Sequence, residues 1–83
     1  MTKMKPGIES QLKEFLANQF QVDRASISDD LSFGDLPQWD SLGHMSLMAA
    51  IENEFGVEVN ADAIADLVNY KAIRDFLVKS YHA

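Results

Sequence analysis

A chain of 83 residues that is 47% hydrophobic suits a single small globular domain, and no apolar run approaches the roughly 20 residues of a membrane-spanning helix. With no cysteine, disulfides, thiolate metal sites and a cysteine nucleophile are excluded, so any thiol chemistry has to come from outside the chain. The net charge of -6 argues against nucleic acid.

Met1–Gly7 carries two lysines with no apolar stretch behind them, so a flexible tail over 1–5 is expected rather than a secretory signal, and the cytoplasm is the expected location. From Ile8 onward, Leu12, Phe15, Leu16 and Phe20 recur at helical spacing, which predicts an amphipathic helix over about 6–20 with Pro6 in its first turn. Residues 21–38 lose that period. They are rich in Ser, Asp, Gly and Pro, yet Val22, Ile27, Leu31, Phe33 and Leu36 run through them, so a long loop pinned to the core is expected. Asp40 is a good N-cap and Gly56 a good C-terminal stop, which bounds a second helix of about four turns. After an extended link at Val57-Glu58-Val59, Asn60 can cap a short third helix to about Val68. Asn69 can cap a fourth that carries Ile73, Phe76 and Leu77 on one face to about Lys79.

The expected fold is therefore all-α, a four-helix bundle with a long first loop and a short third helix, over residues 1–83 as one domain. Its expected core is Ile8, Leu12, Phe15, Leu16, Leu47, Met48, Ile51, Phe55, Ile64, Leu67, Ile73, Phe76 and Leu77. Charge is unevenly spread along it. There is no Lys or Arg between Arg24 and Lys71, while Asp29, Asp30, Asp35, Asp40, Glu52, Glu54, Glu58, Asp62 and Asp66 fall in that interval. A basic partner would be steered to the middle of the chain.

Around the second helix, Leu47, Met48, Ile51 and Phe55 share one arc, while Leu42, Met45 and Ala49 form a second apolar stripe roughly opposite Ile51, bordered by Ser41 and Glu52. One stripe suffices to pack a helix on a small bundle, so the other is either buried by the long loop or offered to a partner, and its border of Ser41 and Glu52 favours the partner. Ser41 follows the N-cap and lies in the first turn, where free N–H groups and the helix dipole favour an anion such as a phosphate.

The run Gln38-Trp39-Asp40-Ser41-Leu42-Gly43-His44-Met45, followed by Ile51, Glu52 and Phe55 and then Gly56-Val57-Glu58-Val59, resembles the acyl carrier protein family over nearly the whole chain. The resemblance implies that Ser41 receives 4′-phosphopantetheine from coenzyme A, whose terminal thiol is the one the chain lacks. It implies a discrete, monomeric, non-catalytic carrier that holds acyl or aminoacyl groups as thioesters. The implied partners are a phosphopantetheinyl transferase and loading, condensing or transferring enzymes with basic docking patches. Asp40 would help present Ser41 and order a metal in the transferase, not in this chain; Leu42, Met45 and Glu52 map to the recognition helix, the face that the wheel also marks with Ala49. Fatty-acid carriers usually have Gly or Ala where this chain has Trp39, and acids where it has Gly43 and Ser46. That form looks more like carriers of specialised polyketide, aminoacyl or unusual acyl pathways, with a fatty-acid synthase carrier as the alternative within the family.

Other readings fit the residues less well. Ser41 and His44 are three apart on a helix, but no glycine-rich elbow precedes the serine and His44 lies nearer the core arc, which marks it as a packing or hydrogen-bonding residue; His82 is expected in solvent. Asp29, Asp30 and Asp35 lack the alternation and closing glutamate of a calcium loop. An unmodified acidic helical module that binds a basic partner is the remaining rival.

Overall fold

The computed structural model describes the backbone of residues 7–82 and the side chains of residues 7–80; the expected tail over 1–5, the role of Pro6 and the side chain of His82 lie outside them. Among the described residues four helices occur in the expected order: α1 (Ile8–Phe20), α2 (Ser41–Phe55), α3 (Ala61–Asp66) and α4 (Tyr70–His82), with a 3-10 turn at Arg24–Ser26 in the long loop. Among the described residues no helix is long and apolar enough to cross a membrane.

Local chemistry explains the boundaries. α1 stops where Gln21 turns left-handed at φ 58° and its N–H reaches back to the Ala17 carbonyl. α2 is bounded by the two residues the sequence marks for it: Asp40 Oδ1 accepts the Gly43 N–H at 2.8 Å, and Gly56 closes the other end at φ 67°, which suits a residue without a Cβ. Asn60 and Asn69 each cap a helix through the side-chain oxygen, on the N–H of Ala63 at 2.8 Å and of Ala72 at 2.7 Å. α3 ends at Asp66, two residues before the expected limit, because the chain beyond it pairs with the long loop instead. The Phe33 N–H donates to the Val68 carbonyl, the Tyr70 N–H donates to the Leu31 carbonyl, and Ser32 and Asn69 form an isolated antiparallel bridge. α4 runs three residues beyond the expected Lys79.

The core is assembled from one stripe of each long helix and from the loop. Leu12 and Leu16 of α1, Leu47, Met48 and Ile51 of α2, Leu67, and Ile73 and Leu77 of α4 are buried as expected. Ile8, Phe15, Phe55, Ile64 and Phe76 are only half-buried at its margin, with Phe15 and Phe55 meeting edge to face at 5.5 Å. The expected loop anchors divide: Ile27 and Leu31 are buried, Val22 and Leu36 pack partly, and Phe33 stays exposed. Ala17, Phe20, Trp39, Val59 and Tyr70 belong to the core without having been expected there. Trp39 is fully buried and lies 5.4 Å from the Phe20 ring, and Gln38 Nε2 donates to the Phe20 carbonyl at 3.0 Å. The end of the loop is thus fastened to the end of α1, which fixes where α2 begins.

Candidate functional site

Ser41 is the first residue of α2 and is exposed. Asp40 before it is extended, at φ -106° and ψ -167°; its side chain takes the Gly43 N–H and its carbonyl takes the His44 N–H at 2.7 Å. The helical ladder leaves the Ser41 and Leu42 N–H groups at the open end, where the dipole favours negative charge. Gly43 has a steric duty here. A Cβ at this position would overlap the Gln38 backbone carbonyl oxygen, so the loop crosses the helix end closer than any side chain permits.

Beside Ser41 lies an open groove of ≈ 370 Å³, lined by Phe33 from the loop, Ser41, His44 and Met45 from α2, Ile64 and Ala65 from α3, and Val68. The large apolar side chains most exposed among the described residues gather at this place: Leu42 at 81%, Met45 at 53%, Phe33 at 42% and Val68 at 37%. Leu42, Met45 and Ala49 were expected to be open beside Glu52, and all four are exposed, as is Asp40. Phe33 and Val68 extend the apolar surface beyond α2; no period in the sequence marks them, because loop and linker residues converge only through tertiary pairing. Glu52 has a second duty, since its Oε2 accepts the Val59 N–H at 2.8 Å and so steadies the link between α2 and α3.

His44 is buried, as its place near the core arc suggested. Its Nδ1 lies 3.1 Å from Trp39 Nε1 and its Nε2 lies 2.8 Å from the Ile64 carbonyl oxygen. An indole N–H can only donate, so Nδ1 must accept and the ring hydrogen sits on Nε2, which donates to Ile64. With both nitrogens engaged, the ring offers no base to Ser41. Trp39, which in the sequence marks only a subtype, is here the residue that fixes the His44 tautomer.

The electrostatics divide the molecule. Lys13 pairs with Asp29 at 3.1 Å, Arg24 with Glu14 at 3.8 Å, and Arg74 with Asp75 at 3.3 Å and Glu9 at 4.0 Å, so these three basic residues answer acids of α1, the loop and α4. The Lys13 ammonium, by hydrogen bond and by charge, holds the Asp29 carboxyl below its ordinary range. Among the described residues, Asp40, Glu52, Glu54, Glu58, Asp62 and Asp66 have no such partner and all are exposed. Of the loop acids, Asp29 pairs with Lys13 and Asp35 accepts the Ser32 N–H at 2.8 Å, so they serve different local ends.

A protein-family model described as the phosphopantetheine attachment site matches residues 10–77. Proteins of this family carry 4′-phosphopantetheine covalently, typically on a serine, and are in general non-catalytic carriers that interact with modifying and biosynthetic enzymes. The residues present fit such a group: an exposed serine hydroxyl at an open helix N-terminus suits a phosphate, and the adjoining apolar groove suits what a phosphate-linked arm bears. With four helices in the expected order and most of its length matched, the chain belongs to the phosphopantetheine-binding family of acyl carrier protein domains.

Proposed function

We propose that Ser41 is the attachment residue and that the chain carries acyl or aminoacyl groups for a specialised pathway, of polyketide, aminoacyl or unusual acyl type, rather than for housekeeping fatty-acid synthesis. The observation that carries the first part is the placement of Ser41, exposed at the first position of α2 beside unpaired N–H groups and an apolar groove. In the modification the hydroxyl gives its proton to the transferase, its oxygen bonds the phosphorus, and the nucleotide half of coenzyme A leaves. The attached group supplies a thiol on which an acyl group is held as a thioester. Asp40 orders the helix end and so aims Ser41 outward.

Support for the second part comes from Gly43 and Ser46, which leave the exposed face of α2 with less charge than a fatty-acid carrier has. Gly43 is held by the close Gln38 carbonyl, so an acid cannot simply be placed there. Loading and transferring enzymes approach Ser41 over Leu42, Met45 and Ala49, with cations set against Asp40 and Glu52, and the uncompensated acids of α2 and α3 draw such basic surfaces in. Incubation with a broad-specificity phosphopantetheinyl transferase and coenzyme A should add one phosphopantetheine to the intact mass of the wild type and none to Ser41→Ala, which should remain folded because Ala is a good helix former. An unchanged wild-type mass would instead favour an unmodified interaction module, and an adduct on the variant would move the attachment elsewhere.

A further inference from the structure

At the other end of α2 from Ser41, a second open groove of ≈ 440 Å³ lies between that helix and α1. Its apolar part is the half-buried ring pair of Phe15 and Phe55, set edge to face at 5.5 Å. Four exposed polar side chains complete its lining: Gln11, Glu14 and Asn18 from α1 and Glu54 from α2. Glu54 has no ion-pair partner among the described residues. Glu14 meets Arg24 only at 3.8 Å, and the same guanidinium donates to the Ser10 hydroxyl at 3.0 Å, so that cation is engaged beside the groove and does not line it. Two aromatic rings and two carboxylates thus share one open depression with no basic side chain in its lining.

We propose that this groove is a second docking site, which takes an arginine side chain from a basic segment of a protein partner. The chemistry of its lining selects that occupant. Aromatic ring faces attract cations, and the carboxylates of Glu14 and Glu54 add a direct charge attraction. A strongly hydrated ammonium or a hard metal ion would have to shed water against rings that offer no oxygen in return. A guanidinium is planar and more weakly hydrated, so it can stack on a ring while its N–H groups serve carboxylates and amide oxygens. Ser41 opens α2 and Phe55 closes it, so the 15 residues of that helix hold the two sites about 21 Å apart along its axis. A partner held in the groove therefore leaves Ser41, Leu42 and Met45 clear, and the site acts as a tether while enzymes visit the other end. It needs no arm on Ser41, and so stands apart from the attachment reading.

The test titrates the isotope-labelled full chain with acetyl-Gly-Arg-Gly-Arg-Gly-amide, and with the same peptide carrying lysine or citrulline for arginine, and follows backbone amide NMR signals. The expected result is saturable movement of the Phe15, Asn18, Glu54 and Phe55 signals with the arginine peptide, weaker movement with lysine and none with citrulline, while Leu42 and Met45 stay still. Glu54→Gln, at an exposed position, should weaken arginine binding about fivefold with an unchanged thermal midpoint. Asp62→Asn, which removes an exposed acid of α3 outside the groove, should leave binding as it is. Equal binding of the two cationic peptides, with equal losses in both variants, would reduce the attraction to diffuse charge and overturn the site, as would the absence of saturable movement. If the same signals move when the chain is concentrated without peptide, a second copy is the occupant. If the peptide binds only when Lys3→Gln and Lys5→Gln are combined, the chain's own lysines are the occupant; either result overturns the partner. Phosphopantetheine transfer is read separately by intact mass, so a chain that binds the peptide but gains no arm loses the attachment reading alone.

Discussion

The side of the molecule formed by α1 and α4 and the side formed by α2 and α3 are built for different ends. On the first, Lys13, Arg24 and Arg74 answer neighbouring acids and Leu12, Leu16, Tyr70, Ile73 and Leu77 are fully buried. On the second, α2 buries Leu47, Met48 and Ile51, but the outward face differs: six carboxylates stand without ion-pair partners among the described residues, large apolar side chains are exposed around Ser41, and no residue of α3 is fully buried. Stability is concentrated where charge is compensated and apolar surface is hidden; display is concentrated where neither holds. A carrier that must be recognised by modifying and biosynthetic enzymes gains from that division, because the surface around Ser41 can be exposed without the fold depending on it.

Paired truncations would break the comparison most directly. Leu16→Ala, in the fully buried stripe of α1, should cost about 2–5 kcal/mol in denaturant unfolding. Leu42→Ala should change stability by no more than about 0.5 kcal/mol. Equal losses would mean that the α2 face is part of the stabilising core after all.

Gly43→Ala comes next, at a point where the two sides meet. Helix propensity alone would have Ala stabilise this position by about 1 kcal/mol. The overlap with the Gln38 carbonyl reverses the sign, and overpacking of this kind should lower stability by about 1–3 kcal/mol, read from the thermal midpoint.

On the stabilising side, the Tyr70 hydroxyl is buried and has no hydrogen-bond partner among the described residues. Burial, reinforced by the charges of Glu9 and Asp29, pushes the phenol above its ordinary value of 10.0. The folded state then holds the proton more tightly than the unfolded one, so this contribution is complete below about pH 10 and is lost as pH rises through the raised value. Tyr70→Phe should raise stability by about 1 kcal/mol at neutral pH and flatten the fall in stability at alkaline pH, as followed by urea midpoints across a pH series.

The smallest effect on the fold, and the sharpest on function, belongs to Met45→Glu. A charge at this exposed helix position should leave circular dichroism and melting within about 0.5 kcal/mol of the wild type, while loading and unloading by partner enzymes slow. Unchanged transfer rates would place recognition away from this face.

The starts of α2, α3 and α4, the end of α2, the buried phase of α2 and the position of Ser41 were legible without a structure, because each depends on interactions that span only a few residues. Asp40, Gly56, Asn60 and Asn69 act on backbone groups within a turn of themselves, and the stripe of Leu47, Met48 and Ile51 follows from helical geometry alone. What folding decided are the contacts between residues distant in the chain. The burial of Trp39 depends on Phe20 and Gln38 reaching across the long loop. The early end of α3 depends on Val68 and Asn69 pairing with Phe33 and Ser32. The hydrogen bond of His44 to Ile64, and the selection of which acids are neutralised and which stay open, likewise require helices to be placed side by side. A pattern in one segment states which face is apolar or charged; only the closed chain states what that face meets.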